Sequence, residues 1–383
     1  METDTYPEGQ DFKTMPFDMP ALLSLKEIGT PSADELFTYF QAQIADWAFH
    51  NLHHAFYNPG KKKDSSTFDV LIRFSSCHQE NVPGVEKFLC KYLSSWNGDL
   101  HSSAVFALVS RFSMSSAAKC FECVLDPVHK IFMFGSLQKQ CEILECLTEL
   151  CKHWITLTVA KLDGGSARAS ITGGFDDEVD PETAVQALLS YIDSCVSLVP
   201  TFHGIPTPDI LLVVLNFYMM LLDTYEETKY FVCEIPQRGV VEACFYSSSL
   251  VCLDRLCNFL LRCRQAVLEV KELAETEFVG DFNHCITWVA SCLGDHDWED
   301  SGDIPNFTHP VHPQSLAVIG PRNEASSLWR HPALHLPLQR FCSESEVTPD
   351  MLKRDQDLLH KYLEYLSDLC PSLVQLARNS VLH

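Results

Sequence analysis

Cys120-Phe121-Glu122-Cys123 has the two-residue spacing of a zinc knuckle or a dithiol redox pair, in which two thiolates meet one metal ion or each other. A second such pair would complete a four-ligand set. The chain has none, and the flanking Ala118 and Val124 favour an ordinary helix. Cys141, Cys146 and Cys151, and separately Cys252, Cys257 and Cys263, recur at five or six residues. On an α-helix that spacing turns each side chain well away from its predecessor, so these read as core-filling thiols. His309-Pro310-Val311-His312, with His296, His331 and His335, could gather a metal for hydrolysis. Histidines separated by prolines do not preset ligand geometry, however, and no carboxylate–histidine signature accompanies them. His50, His53 and His54 share a helix but lack the glutamate of a zincin motif, and so read as face residues. Phosphate-loop, dinucleotide-loop, nucleophile-elbow and kinase signatures are absent. The expectation is a chain that is not an enzyme, with no catalytic residue, metal site or cofactor. Of the six tryptophans, Trp47, Trp96, Trp154 and Trp288 read as core. Trp298 and Trp329 lie among prolines and are the candidate partner-binding residues, with local packing as the alternative.

The elements that would position these residues are helices. Thr30-Pro31-Ser32, Asp180-Pro181-Glu182, Thr207-Pro208-Asp209 and Thr348-Pro349-Asp350 each set an oxygen-bearing side chain before a proline. The cap oxygen, the proline whose missing N–H is not needed in a first turn, and the acid or hydroxyl beside the positive helix end all favour initiation. The clearest helix covers 136–161. Ile143, Leu144, Leu147, Leu150, Cys151, Trp154 and Ile155 step by three and four, while Glu142, Glu145, Thr148, Glu149 and Lys152 occupy the other face. Further helices are expected at 32–56, 66–76, 83–96, 101–112, 115–124, 181–199, 208–228, 236–245, 248–275 and 281–293. The chain should close with a helix from Pro349 and a last one from Pro371. The 208–228 helix is apolar nearly all round and should be central.

The expected fold is all-α, a degenerate HEAT-like helical-repeat array, or α-solenoid, although no clean internal period is visible. The organisation reads as an irregular segment over 1–29, a first helical half over 30–162, a flexible acidic glycine-rich loop over 163–180, a second helical half over 181–294, an irregular proline- and histidine-rich segment over 295–347, and closing helices over 348–383. Prolines 305, 310, 313, 321, 332 and 337 argue against long helices in the late segment.

The 383 residues carry 28 basic and 51 acidic side chains, a formal charge of −23 that disfavours broad adhesion to phosphate backbones or anionic membranes. The one basic run, Lys61-Lys62-Lys63, follows Asn58-Pro59-Gly60 and reads as a solvated loop. Seventeen cysteines, odd in number and spread through amphipathic segments, fit reduced thiols in the cytosol or nucleus better than a disulfide framework. Residues 1–20 carry acids and prolines instead of a charged start and an apolar run, so no signal peptide is expected. The most apolar stretch, 210–222, is interrupted by Asn216 and closed by Asp223, and reads as too short for a bilayer. The expectation is a soluble chain with no membrane and no small-molecule substrate.

A set of short patches resembles the centromere protein I family, in its C-terminal half. They are Phe88-Leu89-Cys90-Lys91 leading to Trp96-Asn97-Gly98; Cys141 to Leu144 leading to Trp154; Phe217-Tyr218; Phe245-Tyr246; Leu256-Cys257 through Arg262-Cys263-Arg264; and Asp281-Phe282-Asn283-His284 through Val289 to Cys292-Leu293. Tyr362-Leu363-Glu364-Tyr365-Leu366 and Arg378-Asn379-Ser380-Val381 continue the likeness, which covers roughly 22–383. The resemblance rests on order and spacing across helix-packing residues. It implies a non-enzymatic scaffold of the inner kinetochore, within the constitutive centromere-associated network, supporting kinetochore assembly and chromosome segregation. It also implies partners: centromere proteins H, K and M, other inner-kinetochore subunits, and centromeric chromatin, mostly indirectly. The family's N-terminal helical half is expected to be missing, which leaves contacts made by that half open. Two readings of another class stand beside this one: a helical-repeat adaptor for peptides or transport cargo, and a metal-dependent hydrolase using the late histidines.

Overall fold

The computed structural model describes residues 72, 83–114, 117–162, 180–202, 207–230, 232, 234–270, 277–293 and 331–381. Among them there is no strand, and the chain is all-α as expected. It divides into two compact units, Met1–Val185 and Gln186–His383.

The first unit contains α1 (Pro83–Leu93), α2 (Ser102–Val109), the short α3 (Ala117–Lys119), a π-helical stretch (Cys120–Leu125), α4 (Asp126–Phe134) and α5 (Leu137–Leu162). The long amphipathic helix forms where its periodicity placed it. Ile143, Leu144, Leu147, Leu150, Cys151, Trp154 and Ile155 are all buried, while Glu145 and Lys152 face water. Trp154 is fully enclosed, and its Nε1 donates to the Phe112 carbonyl at 2.8 Å, so the one polar atom of the indole is satisfied. A 2.7 Å bond from the Ser113 amide to buried Glu86 Oε1 ties the segment after α2 back to α1. The cysteines of α5 behave as small hydrophobes: burial raises the Cys146 and Cys151 thiols far above their usual range and keeps them protonated.

α6 (Pro181–Phe202) follows, and the second unit continues with α7 (Pro208–Thr228), α8 (Arg238–Phe245), α9 (Leu250–Glu269), α10 (Glu277–Leu293), a 3-10 turn (Pro332–Leu334), α11 (His335–Ser345), α12 (Pro349–Arg354), α13 (Gln356–Leu369) and α14 (Pro371–Val381). α7 packs against α8 and α9 and buries residues on every side, Ile210, Leu215, Phe217, Tyr218, Leu221 and Leu222 among them. α6 and α7 are each long and apolar enough to cross a membrane by length and composition alone. That corrects the expectation drawn from the interrupted run at 210–222; in α7 the apolar surface faces protein neighbours.

Helix starts departed from expectation in their chemistry more than in their position. Asp180 caps α6 as foreseen, accepting from the Thr183 amide at 3.0 Å and from its hydroxyl, and these bonds hold its carboxyl below the usual range. Thr207 and Thr348 precede α7 and α12 without making a side-chain cap bond, and proline at the first position and extended geometry at the cap start those helices instead. The start at Thr30 lies outside the described residues.

Two segments differ from the sequence reading. Part of the stretch expected to be irregular, 295–347, is helical, over Pro332–Leu334 and His335–Ser345. Pro332 and Pro337 fall in the opening turns of these elements, where no amide is required to bond backwards, so the prolines do not forbid them. At the C-terminus the Pro349 helix stops at Arg354, and a separate helix begins because Asp355 accepts from the amides of Asp357 and Leu358 at 2.9 and 3.2 Å.

Candidate docking cleft

α1 ends in an aromatic ladder. Phe88 stacks on Tyr92 with centroids 5.4 Å apart, Tyr92 meets Trp96 at 6.3 Å, and Trp96 meets Phe106 of α2 edge-on at 5.4 Å. The Trp96 Nε1 donates to the Leu100 carbonyl at 2.9 Å, and Asn97 Oδ1 accepts the Asp99 amide at 3.1 Å. These bonds fold residues 94–101 into a tight turn, and the turn demands Gly98: its φ of 91° lies where side chains are strained, and a Cβ there would sit 2.8 Å from Ile131 Cγ2.

The opposite wall is the π-helical stretch and α4. Pro127 has no amide to return to the Cys123 carbonyl, and the chain widens by one residue just before it, so that the Asp126 amide bonds to the Phe121 carbonyl five residues back. Cys120 and Cys123 therefore lie in a π-helix, not in the ordinary α-helix expected. The widened turn sets Cys123 beside Cys90 of α1. Burial first, and Cys123 second, push the Cys90 thiol up to about 12. α4 ends at Gly135, where a Cβ would meet the Ile131 carbonyl oxygen at 2.6 Å, so only glycine permits this exit.

Between the walls lies a cleft of about 530 Å³, within the range of ligand- and peptide-binding pockets. Leu93, Trp96, Pro127, Ile131 and Phe134 supply apolar surface, and Glu122, Asp126 and Lys130 supply charge. Asp126 and Lys130 pair at 2.7 Å across one helical turn, exposed enough that the pair contributes little stability. Phe134 stands at the rim, 90% exposed, the most exposed large hydrophobic residue described.

Elsewhere the polar groups that attract notice are structural. Asp193 accepts from the Tyr218 hydroxyl at 3.0 Å and from Gln237 Nε2 at 2.7 Å, joining α6 to α7 and to the entry of α8. Glu234 nearby is raised above the usual carboxylate range by burial and then by Asp193. His331 is enclosed: its Nδ1 accepts the Ala333 amide at 3.2 Å, its Nε2 bonds to the Phe245 carbonyl, and burial lowers it to about 4. With both ring nitrogens engaged it pins the 3-10 turn to α8, apart from any metal, while His335 faces solvent. Among the described residues no group of three His, Cys, Asp or Glu could hold a metal ion. His296, His309 and His312, and both candidate partner-binding residues, Trp298 and Trp329, lie outside the described residues, as do His50, His53 and His54.

Sequence reasoning did not single out the cleft. Phe134 ends an apolar run, Ile131-Phe132-Met133-Phe134, and by periodicity reads as core. Gly98 and Gly135 were available signals, since isolated glycines at helix ends mark close backbone approach.

The cleft falls inside the part of the chain that has recognisable relatives. Residues 51–170 match the family model described as CENP-I: Mis6. A rat protein, Centromere protein I, is 24% identical over 249 residues, covering 61% of this chain and 32% of the relative. The matched region thus spans about a third of that relative's length. The family model lies on the first unit, whereas the patches at 217–381 that suggested the likeness fall beyond it. Over these stretches the chain is similar to the centromere protein I family, and the described residues within 51–170 are all-α.

Proposed function

We propose that the chain is a non-enzymatic scaffold subunit of the inner kinetochore, acting in the nucleus at centromeric chromatin to support kinetochore assembly and chromosome segregation. The observation that carries this reading is the match of 51–170 to the CENP-I: Mis6 model, alongside the alignment with rat Centromere protein I. The helices are read as a degenerate HEAT-like array whose outer faces dock other subunits, with centromere proteins H, K and M as the proposed partners. Charge would select among partners more than supply affinity, as is usual where apolar anchors carry the binding.

The test is localisation with co-purification. Tagged chain in mitotic cells is expected to form paired foci that coincide with the centromeric histone variant, and to co-purify with that chromatin and the three named proteins. Diffuse distribution without these partners overturns the reading.

A further inference from the structure

We propose that the cleft between α1 and α4 receives a helical segment of another protein, which inserts a bulky apolar side chain beside Trp96 and Phe134 and sets a lysine or arginine against Glu122. The inference rests on the scaffold reading and names the chemistry of one partner surface within it.

The first support is that the cleft is pre-formed. Gly98 lets the turn press onto Ile131, Gly135 lets α4 end beneath Phe134, and the Trp96 indole is anchored to the Leu100 carbonyl, so the walls do not need to move to admit a ligand. The second is Phe134 itself. A phenyl ring 90% exposed at the lip of a cleft floored by buried Leu93 and Trp96 matches the pattern of an anchor site: an apolar pocket with an aromatic rim. The third is that helices alone form both walls. Among the described residues there is no strand whose edge could be extended, and an apolar helix face laid into a groove between helices is a recognition mode that such walls support.

Charge decides the occupant. Asp126 is already paired with Lys130, whereas Glu122 is an exposed cleft carboxylate that makes no ion pair among the described residues. A basic residue flanking the anchor would satisfy it. A second copy of this chain fits poorly, because two bodies of charge −23 repel one another at the distances where docking begins. The same holds for acidic segments of any partner.

The experiment places a photoreactive residue at the lip. Phe134→p-benzoylphenylalanine in the full chain, expressed in its own cells and irradiated, should cross-link to one segment of a different protein. Sequencing of the linked peptide should show apolar residues at helical i, i+3 and i+4 spacing with a lysine or arginine beside them. Because Phe134 is so exposed, the substitution leaves the fold intact. A synthetic copy of that segment should then bind the purified chain, with at least a tenfold loss on Phe134→Asp or Glu122→Lys and less than a threefold change on Phe134→Leu. An adduct to this chain or to a second copy, to an acidic segment, to nucleic acid or to lipid overturns the proposal. So does an adduct no stronger than that from the same probe at exposed Lys152, or affinity indifferent to Phe134→Asp. Centromeric foci scored in the same cells separate the two readings: foci without the expected adduct leave the scaffold reading standing and remove this one, and the adduct without foci does the reverse.

Discussion

Replacing Asp254 by alanine tests how the last helix is held. α14 opens at Cys370-Pro371-Ser372-Leu373, and its first turn has little local help: Pro371 has no amide, and the Cys370 thiol bonds back to the Leu366 carbonyl at 3.2 Å instead of accepting. The Leu373 amide instead donates to Asp254 Oδ1 of α9 at 3.0 Å, across 119 positions of sequence. A carboxylate from a distant helix therefore acts as the N-terminal cap, where it also faces the positive end of the helix dipole. Lost caps cost about 0.5–2 kcal/mol, and hydrogen bonds to charged groups about 1.5–3 kcal/mol. Asp254 is half-buried, so water takes over part of the bond, and about 1–1.5 kcal/mol is expected. The apolar anchors Leu373, Val374, Leu376 and Ala377 remain buried, so the loss should appear as local opening of α14 and not as global unfolding. Hydrogen exchange of amides 374–381 should accelerate roughly 5- to 10-fold in Asp254→Ala. Asp254→Asn, which keeps an acceptor without charge, should fall between the two. Unchanged protection in Asp254→Ala would refute the assignment of the cap, and equal effects of Asn and Ala would refute the electrostatic part.

Glycine substitutions should sort by the space around them. Gly98→Ala and Gly135→Ala should each destabilise the first unit by about 1–3 kcal/mol in chemical denaturation, one through positive φ and Ile131, the other through a backbone oxygen at 2.6 Å. Gly280→Ala, inside α10 with open space around it, should instead stabilise by about 0.5–1 kcal/mol. Burial lowers His331 and His153 from the ordinary histidine range to about 4, with Arg111 a second cause at His153. Between roughly pH 6.5 and pH 4 the unfolded chain therefore binds protons that the folded chain refuses, and stability must fall as pH falls through that window, by up to about 1.4 kcal/mol per pH unit per histidine. Thermal unfolding followed from pH 7.5 to pH 5 checks the slope. Imidazole resonances of both residues should stay fixed between pH 8 and pH 5, and titration of either one near pH 6.5 would refute its enclosure.

Helix positions were legible wherever a local signal coincided with a long apolar period. α5, α6 and α7 appear where proline starts and three-and-four spacing put them, because burial of one face and initiation of the first turn are both set by residues adjacent in sequence. What escaped reading depends on residues distant in sequence or on position within a turn. Nothing near Pro371 reveals that Asp254 caps it. Pro337 looks like a breaker until it is known to fall within three residues of a helix start. The Asp355 cap lay inside what read as the region of a single closing helix. At Thr207 and Thr348 the residue type was right for a cap bond and the bond is not made. The cleft was the least legible feature of all, since Phe134 differs from its buried neighbour Phe132 by two positions in one apolar run, and only the exit at Gly135 decides which ring faces water.

The interior explains why surface chemistry should carry the function. Among the described residues, buried thiols are the most numerous ionisable core groups, and burial holds Cys120, Cys146, Cys151, Cys244 and Cys257 protonated. His153 and His331 are neutral for the same reason, so the described core adds almost nothing to the formal charge of −23. The ionised groups of the described residues lie mainly on outer faces, where an approaching partner feels them before any contact forms. Affinity has to come from apolar surface left uncovered, and the described helices leave little of it: isolated side chains such as Val251, Leu268 and Leu336, and Phe134 beside a cleft. Single exposed residues are ordinary on any protein, whereas an exposed ring joined to a pre-formed apolar cleft offers an anchor. An aromatic-rimmed cleft of this kind therefore favours one discrete helical contact over broad adhesion to that face.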